Sequence, residues 1–142
     1  MFNKISPELN SNLEENACLF WFDAEIHTSE HNQQVQKCLL LLNKNLKKFE
    51  HIKSCQDAIE NYGNRNRIIL IVSGRLGREI VPQVNDLSQI ASIYIYCQDK
   101  KANEEWSSQF NKVSTIKREN KVFFFLQKFF LLYLGQRSYY RL

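Results

Sequence analysis

Ile68-Ile69-Leu70-Ile71-Val72 is the stretch on which the fold turns. Five consecutive apolar residues, four of them β-branched, favour extended backbone, and the run is too short for a helix. A strand that is apolar on both faces must be covered on both, as a central strand of a parallel sheet is. Ala17-Cys18-Leu19-Phe20-Trp21-Phe22, ending at Asp23, has the same character, and so does Ile93-Tyr94-Ile95-Tyr96-Cys97. Leu46-Lys47-Lys48-Phe49-Glu50 is short and half-polar, which suits a sheet edge, and Val113 to Ile116 completes the set. The expected strands therefore lie at about residues 17–23, 46–50, 67–73, 92–97 and 113–116.

Helical periods fill the intervals. Val35, Cys38, Leu39 and Leu42 follow Thr28 and Ser29, either of which offers an N-cap. Ser54 with Asp57 resembles a capping box ahead of Ala58, Ile59 and Tyr62, and Gly63 is a natural stop. Ser73-Gly74-Arg75-Leu76-Gly77 turns the third strand into a helix reaching about Val84, with Pro82 read as lying in its first turn. Asn103 to Phe110, carrying Trp106, makes a short amphipathic helix. Strands alternating with helices imply parallel pairing through right-handed crossovers. The expected fold class is α/β: a single, doubly wound, five-stranded parallel sheet in the flavodoxin-like order 2-1-3-4-5.

At 142 residues, 44% of them hydrophobic and 24% charged, the chain is one globular domain in size and composition. Its net charge of +4 is local: the first 120 residues hold 15 basic and 15 acidic side chains, and the excess falls in the last 22. A neutral body gives no support for nucleic-acid binding, which needs clustered cations. The cysteines Cys18, Cys38, Cys55 and Cys97 have no metal-ligand spacing and are expected to be reduced and structural. Residues 1–16 are polar and read as a flexible leader without an apolar signal core, so a cytoplasmic location is expected. Residues 17–120 form the α/β domain.

Residues 121–142 fit less well. Val122 to Leu134 is apolar almost all round, whereas a surface helix carries a single apolar stripe. It reads as an atypical fifth helix on the sheet, as a non-native end, or as a segment contacting a membrane or a partner. The run is shorter than the roughly 20 apolar residues of a membrane span and is interrupted by Gln127 and Lys128.

In a sheet of this order, a ligand belongs beyond the carboxyl ends of the first and third strands. Asp23, Ala24, Glu25, His27 and Thr28 lie there from the first connection, and Ser73, Gly74, Arg75, Leu76 and Gly77 from the third. Gln98, Asp99 and Lys100 come from the fourth. The candidate ligand-binding residues are Asp23, Glu25, Ser73, Gly74, Arg75 and Gly77. Amides opening the third helix, with Arg75 or Arg78, suit an anion, while the two glycines equally suit a tight strand-to-helix turn. The motif is neither a P-loop nor a dinucleotide fingerprint. His27, His31 and His51 have no metal spacing and read as solvated side chains. No catalytic constellation, cofactor or metal is implied.

The acidic residue after the first strand and the strand–helix unit from Leu46 to Tyr62 resemble a response-regulator receiver domain. Carried over residue by residue, Asp23 and Glu25 roughly match the receiver's acidic pair. Ser73 stands where its phosphoacceptor aspartate would be, Cys97-Gln98 where its hydroxyl residue would be, and Lys117 at its lysine. Over about residues 17–113 the chain is more similar to an uncharacterised receiver- and TIR-like module. That module precedes tetratricopeptide repeats or arginine-type ADP-ribosyltransferase domains in invertebrate multidomain proteins. The likeness is carried by Trp21-Phe22-Asp23-Ala24-Glu25, Ile71-Val72-Ser73-Gly74, Leu76-Gly77, Ile80-Val81-Pro82 and Ser92-Ile93-Tyr94-Ile95 with Cys97. It implies a non-catalytic interaction or regulatory module with a protein partner, working beside an effector domain. The alternative is a nucleotide-binding or NAD-cleaving TIR-like domain, for which Glu25 and Glu79 are the candidate glutamates.

Overall fold

The computed structural model describes residues 18–25, 30–42, 45–63 and 65–118. The expectations for the leader (1–16), the tail (121–142), His27, and the Thr28/Ser29 cap fall outside them, as do the side chains of Cys38 and Leu42. The elements run β1 (Cys18–Phe22), α1 (Glu30–Leu42), β2 (Lys47–Phe49), α2 (Ile52–Glu60), β3 (Ile68–Ser73), α3 (Gly74–Val84), β4 (Ile90–Cys97), α4 (Lys100–Ser107) and β5 (Val113–Lys117). They build a five-stranded sheet of order β2-β1-β3-β4-β5 in which every pairing is parallel. The fold is thus the flavodoxin-like α/β arrangement that the strand pattern implies.

Register divides the side chains between two faces. Phe20, Leu70, Ile93 and Val113 stand side by side across four strands, as do Phe22, Val72 and Ile95. These rows face α2, α3 and α4, meeting Cys55, Ile59, Ile80, Val81, Val84 and Trp106. Phe20 also packs on Phe49 and Tyr62, at centroid distances of 5.2 and 5.9 Å. The alternate positions form the other face: Leu19 beside Ile69 and Ser92, then Trp21 beside Ile71, Tyr94 and Ser114, then Ser73 beside Tyr96 and Ile116. Among the described side chains of α1, Val35 and Leu39 are the buried apolar ones.

Several local expectations are overturned. β4 begins at Ile90 rather than at residue 92, because a register shift leaves Ala91 as an extra residue between Ile90 (beside Ile68) and Ser92 (beside Ile69). This bulge lets Ile90 and Ile93 share a face despite their odd spacing. α2 starts at Ile52 with His51 at its N-cap, so Ser54 lies inside the first turn and its hydroxyl donates to the His51 carbonyl at 3.0 Å. It makes no capping box with Asp57. The helix ends at Asn61, whose backbone and side-chain N–H groups both donate to the Asp57 carbonyl, and Gly63 adopts no left-handed conformation. α4 begins at Lys100, earlier than the expected Asn103, because the Asp99 carboxylate caps it through the Ala102 N–H at 3.0 Å.

Pro82 lies in the last turn of α3, not the first. Without an N–H it gives the Arg78 carbonyl no i→i−4 partner, and its ring crowds that carbonyl. An interior proline costs a helix about 3 kcal/mol relative to alanine, and stiffening of the unfolded chain returns about 1 kcal/mol. Pro82 is exposed, so no core packing opposes its replacement. Pro82→Ala should therefore raise unfolding stability by about 1–2 kcal/mol, read as a higher urea midpoint with unchanged slope. A lower midpoint would contradict this account of α3.

Candidate functional site

At the carboxyl end of the sheet the chain leaves β1 at Asp23, β3 at Ser73, β4 at Cys97 and β5 at Lys117. Phe22 is level with Val72, so Asp23 follows at the level of Ser73, which is itself beside Tyr96. These positions belong to the face that α1 covers, and α1 begins there with Glu30, His31 and Asn32.

Asp23 is half-buried, and its carboxylate accepts the Glu25 N–H at 2.8 Å, closing a tight turn. Asn32, which is buried, donates its side-chain N–H to the Glu25 carbonyl at 3.2 Å. The first turn of α1 is thereby tied to the loop after β1. Burial raises the Asp23 carboxyl above its ordinary value. The Glu25 N–H, the Arg118 cation and the Asn32 side chain pull it back, while the Glu25 charge adds to the rise.

His31 makes a hydrogen bond between its Nε2 and the Tyr96 hydroxyl, and the two rings stack at 5.8 Å with an interplanar angle of 19°. Arg118 lies over the Tyr96 ring, 5.8 Å from its centroid, and its own N–H donates to the Cys97 carbonyl at 2.5 Å. Burial lowers the His31 value, the Arg118 cation lowers it further, and Asp23 opposes both. The neutral imidazole is therefore the form the fold favours. Asp23, His31, Asn32, Tyr96 and Arg118 thus form one interlocked cluster drawn from β1, α1, β4 and the end of β5.

Of the six residues read from the sequence, the structure brings Asp23 and Glu25 into this cluster and sets Ser73 at its border. Gly74, Arg75 and Gly77 belong to the opening of α3 on the opposite face. The Ser73 side chain makes no capping hydrogen bond. A Cβ on Gly74 would stand 2.7 Å from the Asn103 Oδ1, and that carboxamide is held by Trp106 Nε1 at 3.0 Å and by the Asp99 carbonyl at 2.7 Å. Gly77 is buried, and a Cβ there would lie 3.3 Å from Val72 and 3.6 Å from both Ile95 and Trp106. Both glycines thus answer to close packing of α3 against the sheet and α4. Arg75 is exposed, and Arg78 sits over Trp106 at 5.9 Å. Asp99 and Lys100 serve α4, the first as its cap and the second in an i,i+4 pair with Glu104 at 3.9 Å.

His31, Asn32, Tyr96 and Arg118 were not among the expected site residues, and His31 is half-buried rather than solvated. The signal was present: His31, Val35 and Leu39 repeat every four residues, so the histidine shares the buried stripe of α1. The thiols are remote from chemistry of their own. Cys18, Cys55 and Cys97 are buried and free. Burial raises all three, Cys55 up to about 12 and Cys97, helped by the Asp99 charge, up to about 11. Such thiols stay protonated and packed. Among the described residues, no group of three or more His, Cys, Asp or Glu is placed to hold a metal ion, and no helix is long and apolar enough to cross a membrane.

Comparison with models of protein families, with curated proteins and with solved structures finds no match in any of the three.

The His31 environment fixes the sign of a pH effect. Its folded value lies below the ordinary one of about 6.5. Above that value both states are neutral and the contribution is flat. As the pH falls through about 6.5 the unfolded chain takes up the proton first, and stability declines until the folded-state value is passed. Asp23, raised by burial, acts oppositely and at lower pH, returning stability as its carboxylate protonates. Urea unfolding of the full chain from pH 7.5 to 5.5 should show this decline. His31→Gln should reduce its slope; an unchanged slope would contradict the assignment.

Proposed function

We propose that this domain is a non-catalytic interaction or regulatory module, accessory to an effector domain and acting through a protein partner. The reading rests on one observation: the side chains that chemistry would draw on at the carboxyl end of the sheet hold the fold together. The Asp23 carboxylate closes the turn to Glu25, His31 is bonded to Tyr96, and Arg118 lies over the ring of the same tyrosine. Ser73 occupies the place where a phosphorelay would need an aspartate. The resemblance read from the sequence of residues 17–113, to modules that precede tetratricopeptide-repeat or ADP-ribosyltransferase domains, implies the same role. Around the cluster, Ala24, Glu25, Gln98 and Lys117 are exposed and of mixed charge, a surface suited to a polar protein contact.

A nucleotide-binding or NAD-cleaving role is the competing proposal, and the Arg75 side of the α3 opening is where it would act. The two separate in one set of assays on the full chain. With acetyl phosphate and Mg²⁺ the mass should stay unchanged, and with NAD no nicotinamide should be released. An acid-labile adduct on Asp23, or nicotinamide release abolished by Glu25→Gln or Glu79→Gln, would replace the present reading with an enzymatic one.

A further inference from the structure

The charge of the domain body cancels as a whole but not along its length. Residues 37–48 hold Lys37, Lys44, Lys47 and Lys48 and no acidic side chain. The same stretch carries apolar side chains that stay in solvent. Among the described residues, Leu40 at 38% and Leu41 at 58% are the exposed large hydrophobic ones. Lys37 is exposed as well and lies one helical turn before both leucines, so the three side chains adjoin on the outer surface of α1 while Val35 and Leu39 are buried. Lys48, also exposed, stands beside Trp21 on the sheet face that α1 covers. The chain from Leu42 to Lys47 reaches at most about 18 Å. Its Asn45 carbonyl accepts from the Cys18 thiol at 3.7 Å, which holds this connection at the amino end of β1. The patch therefore lies at the opposite end of α1 from the His31 cluster.

We propose that Lys37, Leu40 and Leu41, with Lys48 beside them, form the docking surface for the protein partner. The partner supplies an amphipathic helix whose apolar stripe is edged by carboxylates. This deepens, and rests on, the reading of the domain as an interaction module. The adjacent leucines give the contact an apolar centre that gains by leaving water. The lysines give it a sign, drawing in an acidic segment and rejecting a basic one. A helix laid against α1 meets this ridge with side chains spaced three and four residues apart. Other occupants match the surface less closely. A second copy of the chain would set lysine against lysine. A lipid surface takes a helix with an apolar face along its length, whereas Glu30, Gln33 and Gln34, exposed earlier on α1, are polar. A strand added to β2 would meet the edge Lys47-Lys48-Phe49, which its two lysines blunt.

The test follows amide chemical shifts of the full chain during titration with a synthetic helical peptide that carries one stripe of leucine bordered by glutamate. Shifts should map to Lys37–Leu41 and Lys48, and should vanish when lysine replaces every glutamate of the peptide. Leu40→Ser/Leu41→Ser and Lys37→Glu/Lys48→Glu should each weaken binding at least about tenfold; all four positions are exposed, so the fold tolerates the changes. Salt at about 1 M, where the Debye length is about 3 Å, should weaken binding to the parent chain. An absence of shifts, shifts confined to other residues, or equal binding of the two peptides would overturn the inference. So would vesicles of phosphatidylserine and phosphatidylcholine that bind through the same four residues while the peptide does not, or the same shifts appearing when the protein alone is concentrated. Each of these failures leaves the non-catalytic reading standing, because that reading falls instead to nicotinamide release or an adduct on Asp23.

Discussion

Everything in this fold depends on a central strand that cannot be left half covered. β3 is flanked by β1 and β4, and Ile68, Ile69, Leu70, Ile71 and Val72 are all at most 4% exposed. Full burial of such a side chain contributes about 1.5–3 kcal/mol, but only if both faces are roofed. Parallel pairing satisfies this by carrying the chain back over the sheet after each strand, α1 on one face and α2, α3 and α4 on the other. The glycine at position 77 is a local consequence of the same constraint, since α3 approaches β3 too closely for a side chain to fit without displacement.

The fold was legible because its determinants are runs of residues, and the details were less so because they depend on partners far away in the chain. β1, β3 and β4 announce themselves as apolar runs, and Lys47 and Lys48 identify an edge. The start of β4 was hidden because the bulge at Ala91 breaks the alternation that would have extended the strand to Ile90. The capping pattern at Ser54 and Asp57 was overridden by a helix that starts at Ile52. Pro82 was assigned to the wrong end of α3 because its position depends on where the helix begins, and that is set by the packing of Gly74 and Gly77.

The position of the candidate cluster was legible in the sequence, and its membership only partly. Strand order alone placed it at the carboxyl ends of β1 and β3, and Asp23 and Glu25 were found there. Tyr96 and Arg118 join it through register with β3 and β5, which no local pattern displays. His31 could have been found from its four-residue spacing to Val35 and Leu39, but a single polar residue on an apolar stripe is easily read as solvated. What emerges is a cluster that ties the first turn of α1 to three strand ends. Its groups are used mainly for one another, and the proposed role as an interaction module rests on that use.

Native-state hydrogen exchange on the full chain tests the dependence on the central strand most directly. If β3 and its neighbours form the cooperative core, the amides of Leu19–Trp21, Ile69–Ile71 and Ile93–Ile95 should exchange slowest. Their exchange free energies should converge on the global unfolding value. Those of Lys47–Phe49, at an exposed edge, should be well below it. Exchange in β3 that is faster than in the edge strands, or that proceeds by local opening unrelated to global stability, would contradict the account.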